Sequence, residues 1–236
     1  MIQRLTEGAA ALGVPLSGEQ AERFARYHDM LIEANRRMNL TRVPDDPAEA
    51  VDRNYLDSIA PLTAGWPEGV QTLIDVGSGA GFPGIPISIA RPDIHVVLLD
   101  ALDKRVGFLR QVIAELGLNA EAIHGRAEDA ARDPGLRERF DLAAARAVAP
   151  LNALAELLLP FVRPGGYMLA LKGPNAAEEA DAAANALAAL GGGGAQVAPV
   201  LIPGRDWAHA AVWIRKDSET PARFPRRAGV PERRPL

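Results

Sequence analysis

Leu73-Ile74-Asp75-Val76-Gly77-Ser78-Gly79-Ala80-Gly81-Phe82-Pro83-Gly84 is an apolar run that ends in an acid and passes into a glycine-rich loop. The segment after it, 85–90, is apolar again and reads as a helix. Strand, tight turn and helix start are therefore predicted here, the place in an αβ unit where a nucleotide-like ligand meets bare backbone. Glycine serves such a loop twice. It adopts φ > 0 without strain, and it has no side chain to hold a ligand away from the main chain.

Downstream of this unit the pattern repeats. Strands are expected at 72–76, 95–100, 121–124, 141–145 and 167–171, with helices at 104–116, 150–161 and 176–190 between them. In 104–116, Val106, Leu109, Val112, Ile113 and Leu116 fall on one face, and Gly117 supplies a C-terminal stop. Such alternation implies a mostly parallel sheet covered on both faces. Two last strands, 196–201 and 210–215, are joined through Ile202-Pro203-Gly204-Arg205-Asp206 with no helix between. So short a link joins only antiparallel neighbours. The expected fold is thus α/β and Rossmann-like, a seven-stranded mostly parallel sheet with an antiparallel last strand. That is the class I methyltransferase arrangement rather than a plain dinucleotide-binding one.

Upstream, 1–66 reads as a helical cap. Ser17-Gly18-Glu19-Gln20 has the form of a capping box, and Phe24, Tyr27, Leu31 and Ala34 recur at helical spacing behind it. A further helix is expected at 48–62. The methyltransferase-like unit spans 67–216. In the remaining segment, 217–236, Pro221, Pro225, Pro231 and Pro235 are interleaved with arginines, and no regular structure is expected.

Composition excludes several classes. There is no cysteine, hence no disulfide, thiolate metal site or cysteine nucleophile. The four histidines, at 28, 95, 124 and 209, lack metal-ligating spacing, so no metal is expected. No apolar run is long enough to span a membrane, and the first residues lack a secretory apolar region. A cytoplasmic protein fits these features. The net charge is −4, yet 215–236 carries seven basic and three acidic residues. A basic segment on an acidic body points to a polyanionic partner, or else to a solvated terminus that only aids solubility.

The loop alone does not choose a ligand, because Gly79-Ala80-Gly81-Phe82-Pro83-Gly84 satisfies the dinucleotide pattern GxGxxG. Two features favour S-adenosylmethionine. The acid precedes the glycines, as Asp75-Val76-Gly77-Ser78-Gly79-Ala80-Gly81, and Pro83 and Pro86 remove amide donors that a pyrophosphate would need. Asp100, at the end of the second strand, is placed to accept from ribose hydroxyls, a feature shared by both ligands. Arg126-Ala127-Glu128-Asp129 follows the third strand, at the position that meets an adenine. Arg146 and Lys172 follow the fourth and fifth strands at the same sheet edge, and two cations on neighbouring lips suit an anionic substrate. Lys104 and Arg105 stand close behind Asp100 and can join them.

Together these residues resemble the bacterial 16S ribosomal RNA small-subunit methyltransferase G family, also called glucose-inhibited division protein B. The likeness runs through Asn39-Leu40-Thr41, Leu56-Asp57-Ser58, Asp75 to Pro86 with its Gly-Phe-Pro-Gly-Ile-Pro end, and Leu99-Asp100 with Lys104-Arg105-Val106. It continues in Arg126-Ala127-Glu128, Arg146-Ala147, Leu171-Lys172-Gly173 and the Pro225-Arg226-Arg227 tail. The resemblance implies methylation of N7 of guanine 527 in the 530 loop of 16S rRNA, with S-adenosylmethionine as cofactor. The substrate would be 16S rRNA or a 30S assembly intermediate, and the enzyme a monomer. It implies a cofactor pocket of Gly77, Gly79, Phe82, Asp100, Ala127, Glu128 and Arg146. RNA contacts would come from Lys104, Arg105, Arg126, Lys172, Arg226 and Arg227, and positioning of the base from Arg146, Lys172 and Asn39. One departure stands out: many relatives carry histidine where this chain has Asn54, so a role needing an imidazole there is not met by that residue. Three alternatives stay open: another S-adenosylmethionine-dependent RNA or small-molecule methyltransferase, an NAD-dependent oxidoreductase, and a non-catalytic RNA-binding factor on the same scaffold.

Overall fold

Neighbouring residues of the inner strands face opposite layers, and both layers are apolar. Leu73, Val96, Leu98, Leu142, Ala144 and Leu169 join one core cluster. Ile74, Val97, Leu99, Ala143, Met168 and Ala170 join another on the far side. This is the period-2 signature of a sheet buried on both faces. The computed structural model describes residues 1–38, 40, 41, 44, 46–146 and 149–236.

The chain begins with helices α1 (Ile2–Ala11), α2 (Gly18–Met38), α3 (Pro47–Ala50) and α4 (Asp57–Ile59). There follow β1 (Thr72–Val76), α5 (Gly84–Ala90), β2 (His95–Asp100), α6 (Asp103–Leu116), β3 (Ala120–His124), α7 (Ala127–Ala130) and β4 (Phe140–Arg146). The second half holds α8 (Leu151–Leu158), β5 (Val162–Lys172), α9 (Ala176–Ala182), α10 (Ala184–Ala189), β6 (Gly192–Val200), β7 (His209–Lys216) and α11 (Val230–Arg233). The sheet order is β3-β2-β1-β4-β5-β7-β6. The five strands β1 to β5 pair in parallel, and β7 runs antiparallel to both β5 and β6. This is the expected class I arrangement. The chain leaves β1 toward β2 and β3, then returns to lay β4 on the other side of β1. The carboxyl ends of β1 and β4 therefore flank a topological switch point, where open α/β sheets bind ligands.

The cap shares its core with the sheet. Leu5, Phe24, Tyr27, Tyr55 and Leu56 lie in the same cluster as Leu73, Ile85 and Leu98. The capping box forms as expected: Gln20 Oε1 accepts from the Ser17 N–H at 2.8 Å and Ser17 Oγ accepts from the Gln20 N–H at 3.2 Å. The Gln20 amide also donates to the Ile89 and Ala90 carbonyls, tying α2 to the end of α5. On the other flank, the buried Asp52 carboxylate is held from two sides. Arg4 Nε approaches at 2.9 Å and Arg205 Nε at 2.7 Å.

Several boundaries differ from the sequence reading. The single helix expected at 48–62 is α3, a wide turn at Val51–Leu56, α4 and a 3₁₀ turn at Ala60–Leu62. Strand β5 begins at Val162 because the 163–166 turn is absorbed as an irregularity opposite β4, between Phe140 and Leu142. The glycines expected as a flexible link start β6 instead, and Gly192 pairs with Lys216. The helix expected at 176–190 divides at Ala183, which is buried.

The segment 217–236 lacks helix and strand up to residue 229, as expected, but it does not stand free in solvent. It packs on the α8 side of the sheet, with Phe224 and Pro231 buried, and ends in the short helix α11. The physical reason is a set of acids inside the domain that need donors. Buried Glu156 accepts from the Arg226 amide and from its guanidinium, and Glu138 accepts from the Thr220 amide at 2.7 Å. Lys216, at the head of the segment, is itself buried, donating to Leu159 O at 2.7 Å and to Thr220 Oγ1. Burial pushes its amine down to about 8. Among the described residues, no helix is long and apolar enough to cross a membrane.

Candidate functional site

The end of β1 opens into the glycine loop, and the loop's shape follows from its amides. Gly77 and Ser78 both donate to the Leu99 carbonyl of β2, Gly81 and Phe82 donate to Ser78 O, and Gly84 donates to Asp75 Oδ2 at 2.9 Å. Gly79, at φ 60°, turns its N–H onto Asp100 Oδ2 at 2.8 Å. Gly84 begins α5 hard against β2, where a Cβ would stand 2.3 Å from Leu98 Cδ2. These six amides are thus already engaged within the protein. A pyrophosphate, which needs free amides at such a loop, finds none of them available.

Beside the loop lies a cavity of about 350 Å³. Its floor is Val76 and Gly77 at the end of β1, with Asp100 at the end of β2. Arg105, Arg126, Glu128 and Arg146 stand around it, with Glu232 from α11 at the rim. Gly77 is exposed here although it lies between buried neighbours. The Asp100 carboxylate also accepts from the Leu102 N–H at 2.9 Å and stands 3.5 Å from Arg105. Glu128 is held by Arg126 at 3.2 Å and by the Gly229 N–H at 2.6 Å. Donors of this kind hold its carboxyl below the usual range, against the opposing effect of burial.

Asp75 is a different kind of acid. It is fully buried, and its Oδ1 has no hydrogen-bond partner among the described residues. Burial pushes its carboxyl up to about 7, with the Gly84 amide and the Arg146 charge pulling it back. The folded protein therefore holds a proton that the unfolded chain has released. Stability from this group is fully present below the unfolded pKa near 4 and declines as pH rises toward 7. Asp75→Asn is expected to flatten the dependence of Tm on pH across that window. An unchanged slope between pH 4 and 7 contradicts the assignment.

Arg146 is the wall between this cavity and a second one of about 250 Å³, lined by Arg53, Asp57, Arg146, Leu171, Lys172 and His209, with Gly173 at the lip. The wide turn at Val51–Leu56, in which the Asp57 N–H reaches back to Asp52 O, brings Arg53 and Asp57 over the ends of β4 and β5. The Arg146 guanidinium donates to Arg53 O at 3.0 Å and stands 3.6 Å from Asp57 and 4.5 Å from the centre of the Phe82 ring. Burial lowers its pKa, and the Asp57 charge opposes that fall. Asp57 also accepts from His209 Nδ1 at 2.8 Å. Lys172 is nearly buried, with Nζ 2.7 Å from Glu179 and 2.5 Å from Ala149 O.

The structure gathers Gly77, Asp100, Ala127, Glu128 and Arg146 round one cavity, joined by Arg105 and Arg126. Gly79 acts one step back, through Asp100. Phe82 stands behind Arg146, packed with Tyr27 and Tyr55 at 5.6 and 5.8 Å between ring centres. Lys104 and Arg227 are exposed, whereas Arg226 is turned onto Glu156. Asn39 and Ala147 lie outside the described residues. Asn54 is buried, and the imidazole beside Asp57 is that of His209, far along the chain on β7. Sequence reasoning did not single out His209 or Glu232. The stretch Leu56-Asp57-Ser58 was a signal for Asp57, but nothing local marks its partner. Among the described residues, no group of three or more His, Asp or Glu could hold a metal ion.

The model of the GidB family, described as rRNA small subunit methyltransferase G, matches residues 20–202. The chain is 43% identical over 237 residues to the ribosomal RNA small subunit methyltransferase G of Pelotomaculum thermopropionicum, covering 100% of this chain and 99% of the relative. It is 40% identical over 233 residues to the protein of the same name from Alkaliphilus metalliredigens, covering 98% and 97%. Among solved structures, cofactor-bound Rv0187 from MTB superposes with a TM-score of 0.58 at 18% identity, over 84% of this chain and 91% of that one. At that identity the likeness is one of fold.

Proposed function

The chain belongs to the rRNA small subunit methyltransferase G family, and we propose that it uses S-adenosylmethionine to methylate N7 of guanine 527 in the 530 loop of 16S rRNA. The observation that carries the reading is the pair of cavities sharing Arg146, one suited to a nucleoside cofactor and one to a base. The first fits S-adenosylmethionine by its donor set. Asp100 offers a carboxylate to ribose hydroxyls, Ala127 and Glu128 line the adenine side, and the bare Gly77 backbone admits close approach. The loop amides are spent internally, which suits a ligand without phosphate.

Bound there, S-adenosylmethionine supplies a methyl group on a sulfonium centre, which guanine N7, having a lone pair and no proton, takes in line without a general base. The protein's task is therefore placement. Arg146 fixes the border between the two cavities, and Lys172, held by Glu179, fixes the far wall. Arg105 and Arg126, which line the first cavity, and the exposed Lys104 and Arg227 supply positive charge for phosphates, which set register without reading bases. The target must be unstacked to enter. The protein acts as a monomer in the cytoplasm, on 16S rRNA or a 30S assembly intermediate.

Two measurements test this. Calorimetry with each cofactor is expected to show binding of S-adenosylmethionine and none of NAD. Borohydride–aniline treatment of rRNA is expected to cleave at one 7-methylguanine in cells that hold the gene and not in cells without it. Cleavage that persists without the gene refutes the reaction. Methyl transfer to a metabolite and none to RNA moves the chain to the small-molecule alternative.

A further inference from the structure

We propose that Asp57, aimed by His209, is the anion that receives the guanine: it reads the base's donor edge and offsets the positive charge the ring gains as N7 is methylated. The inference rests on the guanine-N7 reading above. Its observation is the charge of the second cavity. Arg53, Arg146 and Lys172 line it with cations, and Asp57 is the one carboxylate among its described lining residues. Methylated guanine is itself a cation. Glu49 and Glu179 pair with Arg53 and Lys172 from outside the lining, so Asp57 is the lining carboxylate that can stand against the ring as it becomes positive.

The geometry leaves Oδ2 and the second lone pair of Oδ1 for that work. Asp57 Oδ1 takes the His209 Nδ1 hydrogen at 2.8 Å, which fixes the imidazole proton on Nδ1. Among the described residues, Oδ2 has only the longer approach of Arg146, at 3.6 Å. The side chain is only 10% exposed, so what reaches it comes through the cavity. His209 is held in turn: its ring lies 5.4 Å from that of Trp207 at an interplanar angle of 30°, and Arg53 stacks on Trp207 at 4.3 Å. His209 is a positioning residue in this scheme, and Asp57 the group that touches the base.

Guanine carries N1–H and a 2-amino group on the side of the ring away from N7, and a carboxylate accepts from both. Adenine has a bare acceptor at N1, so the same carboxylate repels it. The contact strengthens as N7 takes the methyl group, because the donors become more acidic on a cationic ring. One residue thus provides recognition and transition-state stabilisation.

The test compares the full-length protein, Asp57→Asn and His209→Gln on 30S-derived RNA carrying guanine or inosine at the target. Inosine keeps N7 and N1–H and lacks the 2-amino group. Wild type is expected to favour guanine by about 10- to 100-fold, the size of one lost charged hydrogen bond. Asp57→Asn is expected to lose about 100-fold in single-turnover rate on guanine and most of that preference. His209→Gln, which can still donate to the carboxylate, keeps the preference with a smaller loss in rate. S-adenosylmethionine affinity and thermal melts are followed in parallel.

Wild-type rate and preference in Asp57→Asn overturn the proposal. Should that variant fail to fold, the wild-type protein alone decides: equal methylation of guanine and inosine overturns the assignment, and a clear preference supports it. A wild type that methylates no RNA guanine at all refutes the reading beneath, and is told apart because no RNA substrate then responds.

Discussion

Arg146→Ala is expected to abolish methylation, with a fall of about 10²–10³-fold in single-turnover rate, the range seen when one donor that serves a transition state is removed. It is also expected to weaken S-adenosylmethionine binding. The reason for the double loss is that the guanidinium borders both cavities. It holds the Val51–Leu56 turn through Arg53 O and lies across Phe82, so its removal loosens the cap's grip over the sheet edge. It also takes from Asp57 and buried Asp75 the Arg146 charge that holds their negative form, and the Asp75 carboxyl is expected to rise further. The ion pairs add a stability cost, readable as a lower Tm. Lysine is a poor substitute, since a point charge does not reproduce the planar guanidinium's hold on a carbonyl and a ring together. Full activity of Arg146→Ala on 30S-derived RNA contradicts this account.

Arg226→Ala carries the largest expected cost to stability. Glu156 lies on α8 with its side chain wholly buried, and both its oxygens accept from Arg226, the closer pair at 2.6 Å. Removing one partner of such a pair strands a charge in a medium that cannot solvate it, at a cost of about 3 kcal/mol. For a chain of this size that corresponds to a drop in Tm of about 10 °C. The double variant Arg226→Met, Glu156→Met removes both charges and is expected to recover most of the loss. If Arg226→Ala melts with the wild type and instead weakens RNA binding, the arginine serves the RNA rather than the fold.

The sheet and its flanking helices are legible in the sequence because burial imposes short periods: two along β1, β2 and β4, and 3.6 along α2 and α6. The cofactor side is legible for a related reason. Gly77, Asp100, Glu128 and Arg146 each sit at, or a few residues past, the carboxyl end of a strand, so counting strands locates them at one edge. The base side is not, because its pairs join distant segments. His209 and Asp57 are separated by 152 positions. Likewise, Arg146, Lys172 and Arg226 read as open cations until Asp57, Glu179 and Glu156 are seen beside them. The tail is misjudged on composition, since proline and arginine mark a disordered segment only when nothing in the body answers them. Here Glu138, Glu156 and Glu128 do.

The clamp of Arg4 and Arg205 on Asp52 bears on who moves when enzyme and RNA meet. One arginine comes from α1 and the other from the β6–β7 connection, so helical cap and sheet are bolted together through a carboxylate that never sees solvent. A receptor fastened in this way resists opening at that seam, and base entry is then expected to draw its adjustment from the nucleic acid. Its rate of modification then reports how readily the RNA lets one nucleotide swing free. Loosening the RNA around the target is then expected to speed methylation, a change that single-turnover rates on 30S-derived RNA would read.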